Sequence, residues 1–182
     1  GGKIFADTVV VATHFPFINK HGGYAAKLYQ HRSYVVALAG APRIEGMIVD
    51  ADDAGLSFRR HGNWMLVGGG GHRTGKRGGA WAHPLTAARE YFPQGRVHYR
   101  WAAQDCMSLD GAPYIGQYSR TTPSLLVATG FNKWGMTSSA AAAKILTDMI
   151  NGKKNDYAEV FSPNRSILHK QFMINMAETF VN

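Results

Sequence analysis

Two apolar runs, one near the start of the chain and one in its last third, lack the alternation of a half-buried strand. Val9, Val10 and Val11 follow one another within residues 4–13, and such a run is typical of a strand buried on both faces of a parallel sheet. The second run, Leu125–Thr129, stops at a glycine. We expect the two strands to be partners in one helix-covered layer.

A helical pattern follows the second run. Ser138–Ile150 is rich in alanine, and its apolar residues at helical spacing are Ala142, Ile145, Leu146 and Met149. Thr137, Ser138 or Ser139 can supply the N-cap. Because the first turn of a helix offers unpaired N–H groups and a partial positive charge, an anion or a polarised carbonyl is favoured there. Ligands of open α/β sheets lie beyond the carboxyl ends of strands. The alternative is an ordinary strand–helix connection.

The middle of the chain has a different pattern, with short predicted strands separated by Gly, Asn and Asp. These strands are Ala26–Ala39, Met47–Asp50, Gly55–Arg60, Asn63–Gly68 and Gly95–Ala102. His61–Asn63 is a predicted hairpin turn. The apolar faces across it are expected from Leu56 and Phe58 on one strand and from Trp64 and Leu66 on the other. This meander indicates an antiparallel or mixed sheet in a separate lobe.

Three further signals mark helices. Pro84–Phe92 is a predicted helix because proline is tolerated in a first turn and Pro93 ends the run. Asn151–Gly152 is a C-cap signal for the alanine-rich helix. His169–Val181 is a predicted terminal helix. Together these elements predict an α+β fold in which a mixed antiparallel sheet is joined to a smaller α/β layer.

Composition narrows the function classes. Hydrophobic residues make up 45% of 182 residues, and no apolar run approaches the roughly 20 residues of a membrane-spanning helix. The single cysteine, Cys106, excludes an internal disulfide and favours a reducing, cytoplasmic compartment; we expect a buried, inert thiol. The net charge of +8 keeps open an alternative function, a non-enzymatic basic module that binds nucleic acid or phosphate. The basic residues are scattered along the chain, so nucleic acid is the less expected partner. The start at Gly1 without methionine favours an excised fragment.

A glycine-rich stretch, Gly68–Arg77, invites a phosphate-loop interpretation, and a nucleotide hydrolase is a second alternative. The match fails where Arg77 replaces the Ser or Thr that holds magnesium. A glycine-rich strand end beside a bound ligand is the favoured interpretation, with a plain loop as the other. The eight histidines lack metal-binding spacing, so no metal site is predicted.

Three segments resemble the glycine/D-amino-acid oxidase family of FAD-dependent oxidoreductases. They are Thr8–Thr13, Trp101–Gly116 and Val127–Gly135, and within the second, Asp110–Gly116 is similar to the family's D-G-x-P-x-I-G pattern. The similarity covers residues from about 5 to 168. Further similarity, at Gly68–Gly75, Gln104–Asp105 and Phe161–Arg165, is greatest to a branch that often carries a Rieske iron-sulfur domain after the flavoprotein part.

The resemblance implies a division of the chain. Residues 1–22 and 109–167 would belong to a doubly wound FAD-binding domain, 23–108 would form the substrate-binding lobe, and 168–182 the terminal helix. The family's N-terminal strand and G-x-G-x-x-G turn are absent here, so the domain would be incomplete and this chain alone would bind FAD poorly. The implied partners are that missing N-terminal half, a small-molecule substrate and a C-terminal Rieske domain.

The resemblance also implies site residues and an activity. The cofactor-binding residues would be Thr13, His14, Asp110, Gly111, Gly130, Phe131, Asn132, Lys133, Trp134, Gly135, Met136 and Thr137. The amides of Gly130–Thr137 would face the N1 and C2 carbonyl edge of a non-covalently bound flavin, where negative charge develops on reduction. Thr13 and His14 would flank the cofactor, and Asp110 and Gly111 would shape the loop beside the ring. His14 replaces a glycine common in the family. The substrate candidates are Tyr34, His72, Trp101, Gln104 and Lys133. The family resemblance implies oxidation of an amine or amino-acid-like substrate by hydride transfer to the flavin. Related oxidases often hold the substrate carboxylate with an arginine, and Gln104 and Asp105 stand near that place instead, which argues against a simple amino acid as the substrate.

Overall fold

A computed structural model describes residues 2–18, 21–51 and 55–166. Its elements, in chain order, are β1 (Val9–Val11), α1 (Tyr24–Lys27), β2 (Leu28–Ala39), β3 (Met47–Val49), β4 (Ser57–His61), β5 (Trp64–Arg73), α2 (Ala82–Tyr91), β6 (Arg96–Ser108), β7 (Tyr114–Gln117), β8 (Leu125–Thr129) and α3 (Gly135–Ile150). The predicted helix His169–Val181 lies outside the described residues. No helix among the described residues is both long and apolar enough to cross a membrane.

The chain divides into two compact units. The first combines Gly1–Tyr29 with Cys106–Asn182, and the second is Gln30–Asp105. The first unit holds a three-stranded sheet in the order β1-β8-β7, and the second contributes the greater part of a five-stranded sheet in the order β3-β4-β5-β2-β6. The predicted combination of a small α/β layer with a largely antiparallel sheet is therefore confirmed.

The small sheet confirms the predicted strand partnership. β1 runs parallel to β8 with Val9 opposite Leu125 and Val11 opposite Val127, and β7 runs antiparallel to β8. The expected burial of β1 on both faces is wrong for the described chain, because Val9 and Val10 are 49% and 40% exposed and only Val11 is buried. The reason is that α3 packs over β7 and β8, which leaves the edge strand β1 partly uncovered.

Each face of the small sheet contributes to its own apolar cluster. One cluster comprises Val11, Tyr24, Leu28, Cys106, Tyr114, Tyr118 and Val127. The other lies under α3 and comprises Ile115, Leu126, Ala128, Ala142, Ile145 and Leu146. The predicted apolar face of the alanine-rich helix is thus confirmed, with Met149 packed at its margin.

Helix α3 begins earlier than predicted. Its N-cap is Trp134, which makes no side-chain capping bond, so the expected N-cap among Thr137, Ser138 and Ser139 is wrong. These residues lie in the first helical turns because the Ser138 N–H already bonds to the Trp134 carbonyl at 2.9 Å, as an i to i−4 helical bond. At the other end, Asn151 is the C-cap and Gly152 has a φ of +66°, which confirms the C-cap signal.

The hairpin turn in the second unit is confirmed, but its apolar faces were predicted wrongly. His61 pairs with Trp64 across the turn, Phe58 lies opposite Val67, and Leu66 lies opposite Arg59. Because side chains alternate between the faces of a strand, Phe58 lies on one face of the sheet and Trp64 and Leu66 on the other. The register, which the sequence alone does not determine, places them there.

The core of the second unit lies between its sheet and α2. The buried cluster comprises Val36, Leu38, Met65, Val67, Ala87, Ala88 and Phe92. Helix α2 starts two residues before the predicted Pro84 and ends at Tyr91 as Pro93 requires. Strands β5 and β6 extend beyond their predicted ends to Arg73 and Ser108, so the glycine run Gly68–Gly71 belongs to a strand.

Candidate functional site

The carboxyl ends of β1 and β8 lie side by side because the two strands are parallel neighbours. A cavity of about 390 Å³ opens at this edge, beside α3. Its lining residues are Ala12, His14, Ala128, Thr129, Gly130, Phe131, Ser139, Ala142, Ala143 and Leu146. The structure thus brings together three predicted site residues, since His14 lies beside Gly130 and Phe131 although more than a hundred positions separate it from them in sequence.

Thr129 ties the two strand ends together. Its hydroxyl donates to the His14 carbonyl at 2.5 Å and lies 3.5 Å from the Cys106 sulfur. Thr13 bonds within its own loop, donating to the Phe15 carbonyl at 3.1 Å. Burial raises the pKa of the Cys106 thiol, against the smaller opposing effect of its hydrogen bonds to Thr129 and Gly130. Cys106 is therefore a buried neutral thiol, as predicted.

Gly130 occupies a position that requires glycine. Its φ is +69°, and a Cβ atom there would lie 3.1 Å from the Leu28 side chain and 3.3 Å from Ser108. Both the backbone conformation and the close packing disfavour any side chain. The chain can therefore leave β8 and turn sharply toward α3.

Asn132 fixes the shape of this loop. Its side-chain oxygen accepts the Ser108 N–H at 3.0 Å, and its amide nitrogen donates to the carbonyls of Gly111 at 2.9 Å and Gly130 at 3.1 Å. Its own N–H donates to the Cys106 carbonyl at 3.0 Å. Because its amide is committed to protein groups, Asn132 positions the loop and joins it to the turn at Gly111.

The Asp110–Gly111 turn has the predicted form. Asp110 accepts the Ala112 N–H at 3.2 Å, and Gly111 has a φ of +76°. The Asp110 carboxylate also receives two bonds from Arg165, at 2.6 and 2.7 Å. Burial alone would raise the pKa of Asp110, but the Arg165 hydrogen bonds and charge outweigh it and lower that pKa.

Arg165 is a structural residue whose role in the site the sequence interpretation missed. Besides Asp110, it donates to the carbonyls of Ala112 at 2.7 Å and Pro113 at 3.0 Å. Its guanidinium lies 3.9 Å from the centroid of the Tyr114 ring, where burial raises the pKa of the tyrosine hydroxyl to about 12. The available signal was a lone arginine in a Pro-Asn-Arg segment after the helix, which could have been matched to the acidic turn.

The start of α3 presents backbone donors. Lys133, Trp134, Gly135, Met136 and Thr137 are all exposed, with the Trp134 side chain 72% exposed. The first turn contains no acidic residue and no side-chain cap. Its N–H groups and partial positive charge are therefore suited to an electron-rich ligand edge.

The substrate candidates are only partly brought together. The Tyr34 hydroxyl lies 3.0 Å from His72 Nε2, and His72 Nδ1 lies 2.9 Å from the Arg73 carbonyl. Because a carbonyl can only accept, Nδ1 donates to the Arg73 carbonyl, and Nε2 faces the tyrosine hydroxyl. Trp101 instead lines a groove with Leu66, on the face opposite the α2 core. Gln104 is exposed on β6 in the same unit.

The remaining candidate, Lys133, is exposed at the start of α3 in the other unit. Within the part of the chain that the structure describes, no three His, Cys, Asp or Glu residues form a group that could hold a metal ion. The absence of a metal site in the complete protein stays a prediction.

Comparison with known proteins gives a consistent result. The chain is 37% identical over 167 residues to YhfW of Bacillus subtilis strain 168, a protein provisionally named a Rieske 2Fe-2S iron-sulfur protein, and this match covers 86% of the chain and 32% of YhfW. It is 27% identical over 184 residues to the D-amino acid dehydrogenase of Rhizobium rhizogenes strain K84, covering 91% of the chain and 41% of that enzyme.

The fold is similar to that of a solved oxidase. Glycine oxidase from Geobacillus kaustophilus superposes with a TM-score of 0.73 at 22% identity, over 89% of this chain and 46% of that protein. The chain thus spans about a third to a half of the proteins it matches. The family model described as "DAO: FAD dependent oxidoreductase" matches residues 1–149. The chain therefore belongs to the DAO family of FAD-dependent oxidoreductases.

Proposed function

We propose that this chain completes the flavin site of an FAD-dependent oxidoreductase that oxidises an amine or amino-acid-like substrate. The observation that carries the proposal is the convergence of two parallel strand ends and the α3 face from Ser139 to Leu146 around one cavity. The loop at Gly130 and Phe131, which also lines this cavity, leads directly into the exposed first turn of α3. Sheet edges of this kind, beside helix N-termini, are where α/β folds bind nucleotide cofactors.

The residues present fit a flat cofactor. A Cβ atom on Gly135 would meet nothing within 4 Å, so the backbone at the start of α3 faces open space that a planar ring can enter. The exposed amides of Gly135, Met136 and Thr137 supply donors, and the loop at Gly130 leads the chain to them. These features support a site for the pyrimidine edge of an isoalloxazine.

FAD, when bound, would supply the acceptor for a hydride from the substrate C–H bond. The contribution of this chain is electrostatic and positional. Amides at the start of α3 favour negative charge on the ring edge that they face, while Asn132 and the Asp110 turn hold the loop in place. We propose no side-chain nucleophile, and the further cofactor-binding candidates are Thr13, His14, Lys133 and Trp134.

The proposed substrate class is supported by the names of the related proteins, and the proposed substrate residues lie mainly in the lobe of residues 23–108. D-amino acid dehydrogenase and glycine oxidase are among the named relatives, so we propose an amine or amino-acid-like substrate. We propose residues 23–108 as the substrate lobe, with 1–22 and 109–167 in the FAD-binding domain. The candidate substrate residues remain Tyr34, His72, Trp101, Gln104 and Lys133. An N-terminal half carrying the pyrophosphate-binding turn and a C-terminal Rieske domain are the proposed partners.

The test is made on the complete protein that carries this chain. This complete protein should purify with the absorbance of a bound flavin. Replacing Gly135 by leucine should lower the FAD occupancy, because the leucine side chain fills the space proposed for the flavin ring. Gly79→Leu is the matched control, since its Cβ would meet only Ala82 at 3.7 Å. A colourless protein that ignores added FAD, or equal occupancy in both variants, would contradict the proposal.

A further inference from the structure

A groove of about 510 Å³ crosses the face of the second unit's sheet that is turned away from α2. Residues from four neighbouring strands form it, namely Ala37, Arg59, His61, Trp64, Leu66, Tyr99, Arg100 and Trp101. All of them lie within Gln30–Asp105. The groove is thus a property of one compact unit and does not require the flavin site.

Three aromatic side chains dominate this groove. Trp64 and Tyr99 meet edge to face, with ring centroids 5.1 Å apart. Tyr99 is 58% exposed and Trp101 is 41% exposed. Exposed aromatic residues gathered in one concave place mark a binding surface more often than isolated ones do. Their flat faces are suited to a planar ring.

The charge of the groove has one sign. Arg59 and His61 line it, and no carboxylate does so among the described residues. The Arg100 guanidinium lies 5.1 Å from the Trp81 ring, so it is already engaged by an aromatic partner. Arg59 forms no ion pair with any other described residue, which leaves its guanidinium available for a carboxylate.

We propose that this groove binds a small planar aromatic carboxylate. The ring would rest against Trp64, Tyr99 and Trp101, and the carboxylate would pair with Arg59. Leu66 and Ala37, both buried, form an apolar base of the groove, and burial of apolar surface there favours binding of an aromatic ring over a polar chain. The proposal goes beyond the flavoenzyme function, since it predicts binding by this unit with no FAD present.

Isothermal titration calorimetry of the complete protein that carries this chain, freed of FAD, with 2-naphthoate and with neutral 2-naphthamide tests the proposal. The carboxylate should bind about tenfold more tightly than the amide, because a hydrogen bond to a charged partner is the stronger one. Arg59→Gln should remove that preference. Arg60→Gln is the matched control, because Arg60 lies on the opposite face of β4 and donates to the Gly62 carbonyl at 2.9 Å.

A second variant separates the aromatic contribution from the charge. Tyr99→Leu should weaken both probes about fivefold, as expected for a lost stacking surface, and should leave the preference for the carboxylate intact. Equal binding of naphthoate by the Arg59 and Arg60 variants would overturn the proposal. So would a dimer, seen by sedimentation velocity, that hides the groove, or a single-stranded oligonucleotide that displaces naphthoate with a steep salt dependence.

Discussion

Two residues of the flavin-site candidate, His14 and Asn132, have a backbone conformation that favours glycine. Their φ angles are +64° and +52°, but their surroundings differ. The Asn132 side chain makes hydrogen bonds to Ser108, Gly111 and Gly130, which offset the conformational cost. His14 has no such side-chain bond among the described residues, so its conformation is imposed by the loop, through the bond from Thr129 to its carbonyl.

Opposite effects of glycine are therefore expected at these two positions. His14→Gly should raise the free energy of unfolding of the chain by up to about 1 kcal/mol, because relief of the left-handed strain outweighs the added entropy of the unfolded chain. Asn132→Gly should lower it by about 2 kcal/mol, because several net hydrogen bonds are lost.

Urea unfolding of both variants and the unsubstituted chain gives the comparison. The two changes in the free energy of unfolding need not be equal in size. An Asn132→Gly variant that is more stable than the unsubstituted chain would show that the Asn132 hydrogen bonds contribute nothing to stability. A destabilised His14 variant would show that the imidazole makes a contact that its backbone strain conceals.

At the scale of elements, the segment after α3 clamps the turn before β7. Arg165 makes a bidentate hydrogen bond to the Asp110 carboxylate and donates further hydrogen bonds to the Ala112 and Pro113 carbonyls. The side chains of Arg165 and Asp110 are largely shielded. Because Gly111 is in turn bonded to Asn132, the clamp supports the loop that leads into α3.

Replacing Arg165 by lysine should lower the free energy of unfolding by about 2 kcal/mol. Lysine keeps the charge but loses the planar fork and most of the carbonyl bonds. The measurement is the urea midpoint and slope, with Lys154→Gln as the control, since Lys154 pairs with Asp156 at 3.5 Å and both side chains are exposed, so that pair contributes little. A loss no greater than in the control would contradict the clamp.

The same pair predicts an acid dependence. The pKa of Asp110 is lower in the folded chain than its ordinary value, so its contribution to stability is complete above the unfolded pKa, near 4. It is lost as the pH falls through the folded pKa. The stability difference between the unsubstituted chain and Asp110→Asn should therefore shrink between pH 5 and the acid limit. A constant difference over that range would contradict this assignment. Comparing the two proteins cancels the other carboxylates.

The accuracy with which the sequence predicts an element differs from strand to strand. Leu125–Thr129 was predicted with its observed bounds, because an unbroken apolar run ended by glycine is a local signal. Strand β7 was missed, since Tyr114–Gln117 is short and follows a strong turn signal. The extension of β5 through its glycines depends on pairing with β2, as in Tyr34 opposite Gly69, and such non-local pairing leaves no mark in the local pattern.

The candidate site shows the same division. The strand–loop–helix order around Gly130 could be inferred from spacing and family resemblance. The Arg165 clamp could not, because its partner lies 55 positions away. The separation of Trp101 from Tyr34 onto different sheet faces also follows from register, which a one-residue shift would reverse.

At the scale of the whole molecule, each unit has its own apolar clusters. Leu38→Ala in the second unit and Ile145→Ala in the first should each cost about 3 kcal/mol, since both side chains are fully buried. Hydrogen exchange followed by mass spectrometry should show faster exchange mainly in β2 and β5 for the first variant and in β8 for the second. Equal acceleration everywhere in both variants would show one cooperative unit.

The parallel pairing of Val9 with Leu125 has a consequence for biosynthesis. At ordinary elongation rates, on the order of ten seconds pass between the emergence of β1 from the ribosome and that of the strand it needs. For that time the backbone N–H and C=O groups of three consecutive valines lack the β8 strand as a hydrogen-bonding partner, and such an exposed strand edge favours aggregation. Yield in cells should accordingly depend on chaperone supply and growth temperature more than the final stability of the protein would suggest.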